Sequence, residues 1–294
     1  FVVAAMRGAP VHAEAFASEL RLEGRTWNYD VYETSFPSAM RGLFRSNDTV
    51  WGHLYVPRGR KGDGPPPGVL ILPVMAAPNV WIEERFVHAF LRRGVAAYWI
   101  EMPFQFHRRP HPSVPSGQSF LARTPRALAR NFLHARADAA RALGWLKRSG
   151  LVDESRLGLF GVSLGALVGA SLYAFDDEAA RSVNTVVFAL GGADFPDLVM
   201  RGSMTSAFAR RSGFGEGELR EAWKGMDPLE RPRVGGRVLL INAAGDGVVP
   251  PENADKLAAA LPGARRMRVP WGHYGAILHL FWIPDRVARE FARM

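Results

Sequence analysis

The sequence predicts an α/β fold with a mostly parallel central sheet and helices on both faces. Continuous apolar runs such as GVLILPVM (68–75) are typical of parallel strands buried on both sides. Segments with helical spacing lie between these runs, and strands that alternate with helices indicate βαβ units. The 294 residues, 48% of them hydrophobic, are enough to build one large domain of this class.

The alternation begins near residue 48 and continues to the end of the chain. Residues 48–57 alternate apolar and polar side chains like a half-exposed strand, and the helix predicted at 79–94 ends at Gly94, a helix-terminating residue. We predict strands at 48–57, 68–75, 95–103, 155–163, 184–192, 237–245 and 265–270, and helices at 79–94, 119–148, 164–175, 251–261 and 276–292.

Three segments fall outside this alternation. Residues 1–47 look largely helical, and we expect them to form an N-terminal extension packed on an α/β domain of residues 48–294. Segments 104–119 and 194–228 each follow the carboxyl end of a strand, which is where open α/β sheets bind ligands. We expect both to form walls of a pocket, with about 194–228 as a short lid insertion.

Composition excludes several functional classes. The chain has no cysteine, so it has neither disulfides nor thiolate metal sites nor a cysteine nucleophile. Its net charge of +9 comes from arginines scattered as singles and pairs, which indicates a solvated surface rather than a nucleic-acid site. No run reaches the roughly 18 apolar residues that span a bilayer, so we expect no stable membrane insertion. A cytoplasmic location is the expectation, and a secreted or periplasmic one the alternative.

The stretch GVSLG (161–165) sets Ser163 between two glycines, at the junction of a predicted strand and a predicted helix. A serine that projects into a cleft from such a sharp turn needs small neighbours on both sides. The same residues would also suit a plain βα turn, in which small side chains let the helix approach the sheet. The pattern favours a nucleophile, and the turn remains the alternative.

Two later residues strengthen the catalytic interpretation. Asp246 follows the predicted strand 237–245 in AGDGVVPPE, and His273 follows the next strand in PWGHYGA. An Asx-turn and a hydrogen-bonded loop histidine are the structural alternatives. A serine nucleophile needs a base, and the base works best when a third group orients it. Asp194, after the strand 184–192, is a competing candidate for the acid.

With GVSLG, AGDGVVPPE and WGHYG in this order, residues 48–294 resemble the α/β-hydrolase superfamily, and within it the dienelactone-hydrolase-like and acyl-peptidase-like serine esterases. The resemblance implies Ser163 as nucleophile, His273 as general base and then acid, and Asp246 as the orienting carboxylate. Dienelactone hydrolases proper carry a cysteine where this chain has serine. This departure favours ordinary ester hydrolysis over lactone chemistry.

An oxyanion hole needs two N–H groups directed at the developing charge. Leu164, at the start of the helix after the serine, supplies one. The second is expected from the loop PVMAAPN (73–79), whose prolines have no N–H, which leaves residues 74–77. By resemblance to the H-G-x pattern of the superfamily, we expect Met75 to be the donor.

The two inserted segments supply the candidate pocket residues. We expect an apolar, aromatic wall suited to an uncharged ester, formed by Phe104, Phe106, His107, Phe195 and Trp223. The paired arginines of these segments could bind a carboxylate, but a solvent-facing position is the favoured interpretation; they are Arg108, Arg109, Arg210 and Arg211. His107 and His111 have no third ligand nearby in the sequence, so we expect no metal site.

The sequence therefore predicts a serine carboxylesterase that cleaves small or medium esters through an acyl-enzyme. We expect a small-molecule ester as substrate and no cofactor. An aminoacyl or peptide hydrolase of the same fold is one alternative. A non-catalytic binding protein is another, because a fold does not prove an activity.

Overall fold

Residues 16–59, 64–76 and 78–294 are described by a computed structural model, and they contain a nine-stranded sheet in the order β1-β2-β3-β5-β4-β6-β7-β8-β9. The strands are β1 (Glu19–Arg25), β2 (Tyr29–Pro37), β3 (Thr49–Pro57), β4 (Gly68–Leu72), β5 (Ala96–Ile100), β6 (Leu157–Val162), β7 (Thr185–Ala189), β8 (Arg237–Ala243) and β9 (Arg265–Val269). β4 to β9 run parallel, while β1, β2 and β3 pair antiparallel and join the sheet through β5. The predicted mostly parallel sheet is confirmed.

The helices of the described residues connect these strands. They are α1 (Trp81–Arg92), α2 (Pro125–Arg148), α3 (Leu164–Phe175), α4 (Asp177–Ser182), α5 (Phe195–Arg201), α6 (Ser206–Arg211), α7 (Glu216–Ala222), α8 (Pro251–Ala260) and α9 (Ile283–Phe291). The insertion between β7 and β8 is built from α5, α6 and α7. In the described part of the chain, no helix combines the length and apolar character needed to cross a bilayer.

The sheet separates two apolar cores because alternate side chains of a strand point to opposite faces. On β4, Leu70 and Leu72 pack with α2 and α3, whereas Val69 and Ile71 face α1 and α9. The second core is rich in aromatic contacts, such as the 4.5 Å between the ring centroids of Phe86 and Phe160. The helices therefore cover both faces, as predicted, and leave the ends of the strands open for loops.

The helical prediction for the N-terminal segment is wrong where the structure tests it. Residues 1–15 lie outside the described residues, but residues 19–25 and 29–37 are the strands β1 and β2. β2 pairs with β3 at every position from Tyr29 to Pro37, so the expected domain boundary at 47/48 separates two paired strands. Pairing to a later strand satisfies the backbone here, and no local helical spacing predicts such a contact.

Two predicted helix boundaries also move. The helix predicted from residue 119 begins at Pro125, because Thr124 Oγ1 accepts the N–H of Ala127 and proline suits the first helical position. The helix predicted at 276–292 divides into a 3₁₀ turn, Gly275–His279, and α9.

A buried arginine attaches the segment 104–119 to the rest of the fold. The Arg108 side chain is fully buried and donates to the carbonyls of Glu101 and Asn47, both at 2.8 Å, and to Asp138 Oδ2 of α2 at 2.7 Å. Its partner Asp138 is equally buried. Arg108 is therefore a structural residue, contrary to the expected solvent-facing position, while Arg210 and Arg211 are exposed as expected.

Replacement of Arg108 by methionine is expected to lower the free energy of unfolding by about 3–5 kcal/mol, because it leaves the Asp138 carboxylate buried without its cation. Chemical denaturation measures the change. The control is R93M, which breaks the half-exposed Arg93–Asp285 pair and should cost about 0–1 kcal/mol. Equal losses in both variants would contradict the structural role of Arg108.

Candidate active site

Ser163 lies on a strained turn between β6 and α3. Its φ of 54° and ψ of −116° are unusual for a residue other than glycine, and its N–H bonds the carbonyl of Ala189 at 2.8 Å. A Cβ at Gly161 would lie 2.3 Å from the Gly165 carbonyl oxygen, and one at Gly165 would lie 2.0 Å from the Leu72 carbonyl oxygen. Both glycines are thus needed for the close approach of α3 to the sheet, and the turn projects Ser163 beyond the strand ends.

The fold brings Ser163, His273 and Asp246 into one hydrogen-bonded chain. Ser163 Oγ lies 2.9 Å from His273 Nε2, and His273 Nδ1 lies 2.8 Å from Asp246 Oδ2. A carboxylate only accepts hydrogen bonds, so Nδ1 carries the proton and Nε2 is left to accept the serine hydroxyl. This tautomer is the one in which a histidine can take a proton from serine.

Asp246 is held rigidly at the end of β8. Its Oδ1 accepts the N–H groups of Val248 and Val249, both at 2.9 Å, while Oδ2 remains for His273. The Asx-turn considered from the sequence is therefore present, and it coexists with the histidine contact. The competing candidate Asp194 instead begins α5 and bonds the ammonium of Lys256.

A cavity of about 350 Å³ opens beside Ser163 and His273. Apart from these two residues, the polar side-chain groups at its wall are the hydroxyls of Thr205 and Tyr274 and the buried indole N–H of Trp223, and no charged side chain of the described residues lines it. Water is poorly held by such a wall, and apolar parts of a ligand gain from burial there.

Two of the five predicted pocket residues line this cavity, Phe195 and Trp223. The other three do not. Phe104 is buried in the core, Phe106 packs against Trp99, and His107 bonds the Glu101 carboxylate on the β3 side of the sheet. The physical reason is the Arg108 anchor, which draws the first half of the segment 104–119 away from the strand ends.

Sequence reasoning missed most of the cavity wall. Phe120 and Leu121 come directly after the segment 104–119, Phe132 from α2, and Ile82 and Phe86 from α1. In the sequence their helical spacing was indistinguishable from that of ordinary core residues, so no local signal identified them.

The loop after β4 is fixed by two polar side chains. Glu83 Oε1 accepts the Val74 N–H at 3.1 Å, and Gln105 Nε2 donates to the Val74 carbonyl at 2.6 Å. Of the four expected oxyanion donors, Val74 is therefore occupied, and Ala77 lies outside the described residues. Met75 and Ala76 remain, both at the cavity wall, and Met75 stays the predicted donor beside Leu164.

Glu83 is almost completely buried, and burial raises the pKa of its carboxyl group.

Across the described residues, no group of three or more histidine, aspartate or glutamate side chains is arranged to hold a metal ion.

Gly165→Ala is expected to destabilise the protein strongly, because the new Cβ collides with backbone atoms of β4 that cannot move aside. The thermal unfolding midpoint measures the effect. G217A is the matched control, since Gly217 lies in α7 with open space around it. Alanine is more favourable than glycine within a helix by about 1 kcal/mol, so G217A should be as stable as wild type or more stable. A G165A variant as stable as G217A would contradict the close approach.

Glu83→Gln is expected to change how stability depends on pH. A carboxyl group whose folded pKa is raised keeps its proton where the unfolded chain has lost it, so the wild type loses stability as pH rises above the ordinary value of 4.5. Glutamine preserves the acceptor for Val74 without this loss. The free energy of unfolding of E83Q, relative to wild type, should therefore increase between pH 5 and pH 8.

Denaturant titrations at several pH values test this expectation, with the exposed neighbour variant E84Q as control for removing a charge from the first turn of α1. A difference between E83Q and wild type that stays constant over this pH range would refute it.

Comparison with known proteins places the chain in a family. The model of the prolyl oligopeptidase family matches residues 116–270, more than half of the chain, a range that contains Ser163 and Asp246 and ends three residues before His273. A search of curated protein sequences gave no significant match.

Several solved structures have a similar fold. Acetyl xylan esterase from Paenibacillus sp. R4 aligns over 98% of this chain and 93% of its own, with 15% identity and a TM-score of 0.73. Acetyl xylan esterase 1 from Thermoanaerobacterium sp. JW/SL YS485 aligns over 96% and 89%, with 17% identity and a TM-score of 0.71. Oligopeptidase B from Leishmania major aligns over 90% of this chain but 36% of its own, with 12% identity and a TM-score of 0.64.

At these identities the likeness extends to the fold alone, and it confirms the predicted α/β-hydrolase fold. The match of the family model to more than half of the sequence goes further. The chain belongs to the prolyl oligopeptidase family of α/β-hydrolase-fold serine hydrolases.

Proposed function

We propose that this protein is a carboxylesterase that hydrolyses uncharged carboxylic esters through an acyl-enzyme on Ser163. The observation that supports the proposal is the hydrogen-bonded chain Ser163–His273–Asp246 at the edge of a cavity with an apolar wall. The chain of hydrogen bonds provides an activated nucleophile, and the cavity provides a site for the apolar parts of an ester.

In the first half of the reaction, Ser163 Oγ attacks the ester carbonyl while His273 Nε2 takes the hydroxyl proton. Negative charge develops on the carbonyl oxygen, where the N–H groups of Leu164 and Met75 would stabilise it. The tetrahedral intermediate collapses, the bond to the alcohol oxygen breaks, and His273 gives its proton to the departing alkoxide. The acyl group remains on Ser163.

In the second half, water attacks the acyl-enzyme and His273 takes the proton of this water. The second tetrahedral intermediate releases the carboxylic acid, and the proton returns to Ser163 Oγ. Asp246 remains a carboxylate throughout, because its role is to hold the imidazole in one tautomer and to stabilise the imidazolium.

A peptide or aminoacyl hydrolase is the second candidate, and the family match favours it, since relatives such as oligopeptidase B are peptidases by name. A peptide brings several amide groups, and a cavity that buries them must pair their polar atoms. Besides Ser163 and His273, the lining offers such atoms the hydroxyls of Thr205 and Tyr274 and the indole N–H of Trp223, too few to pair the amide groups of several residues. The ester is therefore the better chemical fit.

Ser163→Ala is expected to lower kcat for p-nitrophenyl butyrate by about 10⁴-fold or more, because the covalent step is lost. The control S182A removes a hydroxyl at the end of α4, away from the cavity, and should retain wild-type kinetics.

Intact-protein mass spectrometry with a fluorophosphonate adds an independent measurement. Ser163 Oγ displaces fluoride from phosphorus, so wild type and S182A should gain one adduct and S163A none. Full activity of S163A would refute the nucleophile. A labelled wild type that cleaves alanine p-nitroanilide but not the ester would establish the peptidase instead, and an unlabelled, inactive wild type would favour a binding protein.

A further inference from the structure

The cavity lies across the end of the sheet and has two sides that belong to different cores. Residues of α2, of the turn before it and of the insertion between β7 and β8 form one side. Residues of α1 and those that follow His273 form the other side. We call these sides the inner arm and the outer arm. The inner arm consists of Phe120, Leu121, Leu128, Phe132, Phe195 and Trp223, and the outer arm consists of Ile82, Phe86, Tyr274, Ile277, Leu280 and Ile283.

The inner arm ends against a closed aromatic wall. The ring centroids of Phe132, Phe195 and Trp223 lie 4.8 to 5.3 Å from one another, and all three side chains are buried. Leu121 is the half-buried member of this arm. A group that enters here meets a fixed limit to its length, since a packed aromatic cluster does not yield to an extra methylene without strain.

The outer arm is apolar at its base and open at its rim. Phe86 and Ile283 are buried, whereas Ile277 is 46% and Tyr274 69% exposed. A group in this arm therefore gains apolar contacts near the site, and its far end can extend into solvent. The outer arm sets no sharp limit to length.

The position of His273 assigns a part of the substrate to each arm. His273 gives its proton to the leaving alcohol, so the alcohol oxygen must lie at Nε2. Tyr274 is the next residue in the chain, Ile277 and Leu280 follow one and two turns later, and all three line the outer arm. The alcohol moiety therefore lies next to the outer arm, and the acyl moiety, on the opposite side of the carbonyl carbon, lies in the inner arm.

We propose that the inner arm binds an apolar acyl chain of limited length and the outer arm binds an apolar alkyl or aryl alcohol, so that the substrate is an ester apolar on both sides of the carbonyl. This inference rests on the proposed esterase function. A sugar alcohol is disfavoured in the outer arm, because those of its hydroxyls that reach the buried base beside Phe86 and Ile283 would lose water and find Tyr274 as the one polar side chain among the six that form the arm.

The inner arm is tested with p-nitrophenyl esters of acyl chains from two to twelve carbons. For wild type, kcat/KM should rise about three- to fourfold per methylene until the chain reaches the aromatic wall, and then fall. Leu121→Trp shortens the inner arm from a half-buried position, so the length optimum should move to shorter acids. L151W is the matched control, because Leu151 packs on the same core outside the cavity, and its optimum should equal that of wild type.

The outer arm is tested with butyrate esters of alcohols from ethanol to octanol and with glucose 6-butyrate, whose free hydroxyls make it the polar comparison. Ile277→Asn should lower the preference for octyl over ethyl butyrate about fivefold, because apolar contact is lost. Leu278→Asn changes the neighbouring residue, which is 60% exposed and does not line the cavity, and should leave this preference as in wild type.

The results separate the assignment of the arms from the function itself. The assignment is supported if L121W changes the preferred acyl length but not the alcohol preference, and I277N changes the alcohol preference but not the preferred acyl length. Reversed effects, flat chain-length profiles in wild type, or faster cleavage of glucose 6-butyrate than of octyl butyrate would overturn it. In each of these cases wild type is still labelled by a fluorophosphonate and still hydrolyses phenyl acetate, whereas failure of both reactions would overturn the esterase function.

Discussion

The contact of α3 with the sheet at Gly161 and Gly165 is the constraint on which the rest of the site depends. Any side chain larger than hydrogen at either position would overlap backbone atoms of α3 or β4. The close approach forces the sharp turn at Ser163, whose φ of 54° is held by the bond to the Ala189 carbonyl. The strain at one residue is thus stabilised by packing of the two elements on either side of it.

The carboxyl edge of the parallel sheet positions Asp246 and His273, the two residues that are hydrogen-bonded in series with Ser163. β8 and β9 are neighbours in the sheet, so the loops that follow them bring Asp246 and His273 together although 27 residues separate them. Two backbone N–H groups fix the Asp246 carboxylate before it meets the imidazole. The imidazole of His273 is therefore oriented by a carboxylate that the backbone itself holds in place.

The buried polar network around Arg108 connects parts of the chain that are distant in sequence. Besides Arg108, Asp138 accepts from the Ser38 hydroxyl after β2, and Ser38 also contacts His134, whose pKa is lowered by burial. The network attaches the N-terminal hairpin and the segment 104–119 to α2. It thereby keeps the segment 104–119 out of the cavity, and the residues that follow it, Phe120 and Leu121, form the wall.

The sequence by itself determined the parallel sheet and the residues at its carboxyl edge, because both depend on short-range patterns. Apolar runs identify buried strands, and glycine-flanked serine, aspartate and histidine directly after such runs identify the loops that meet at one edge. Only the tertiary structure decided that residues 19–25 and 29–37 are strands, that Arg108 is buried and that Phe120, Phe132 and Ile277 line the cavity. Each of these depends on a partner far along the chain, and the free energy of pairing or burial with that partner overrides local propensity.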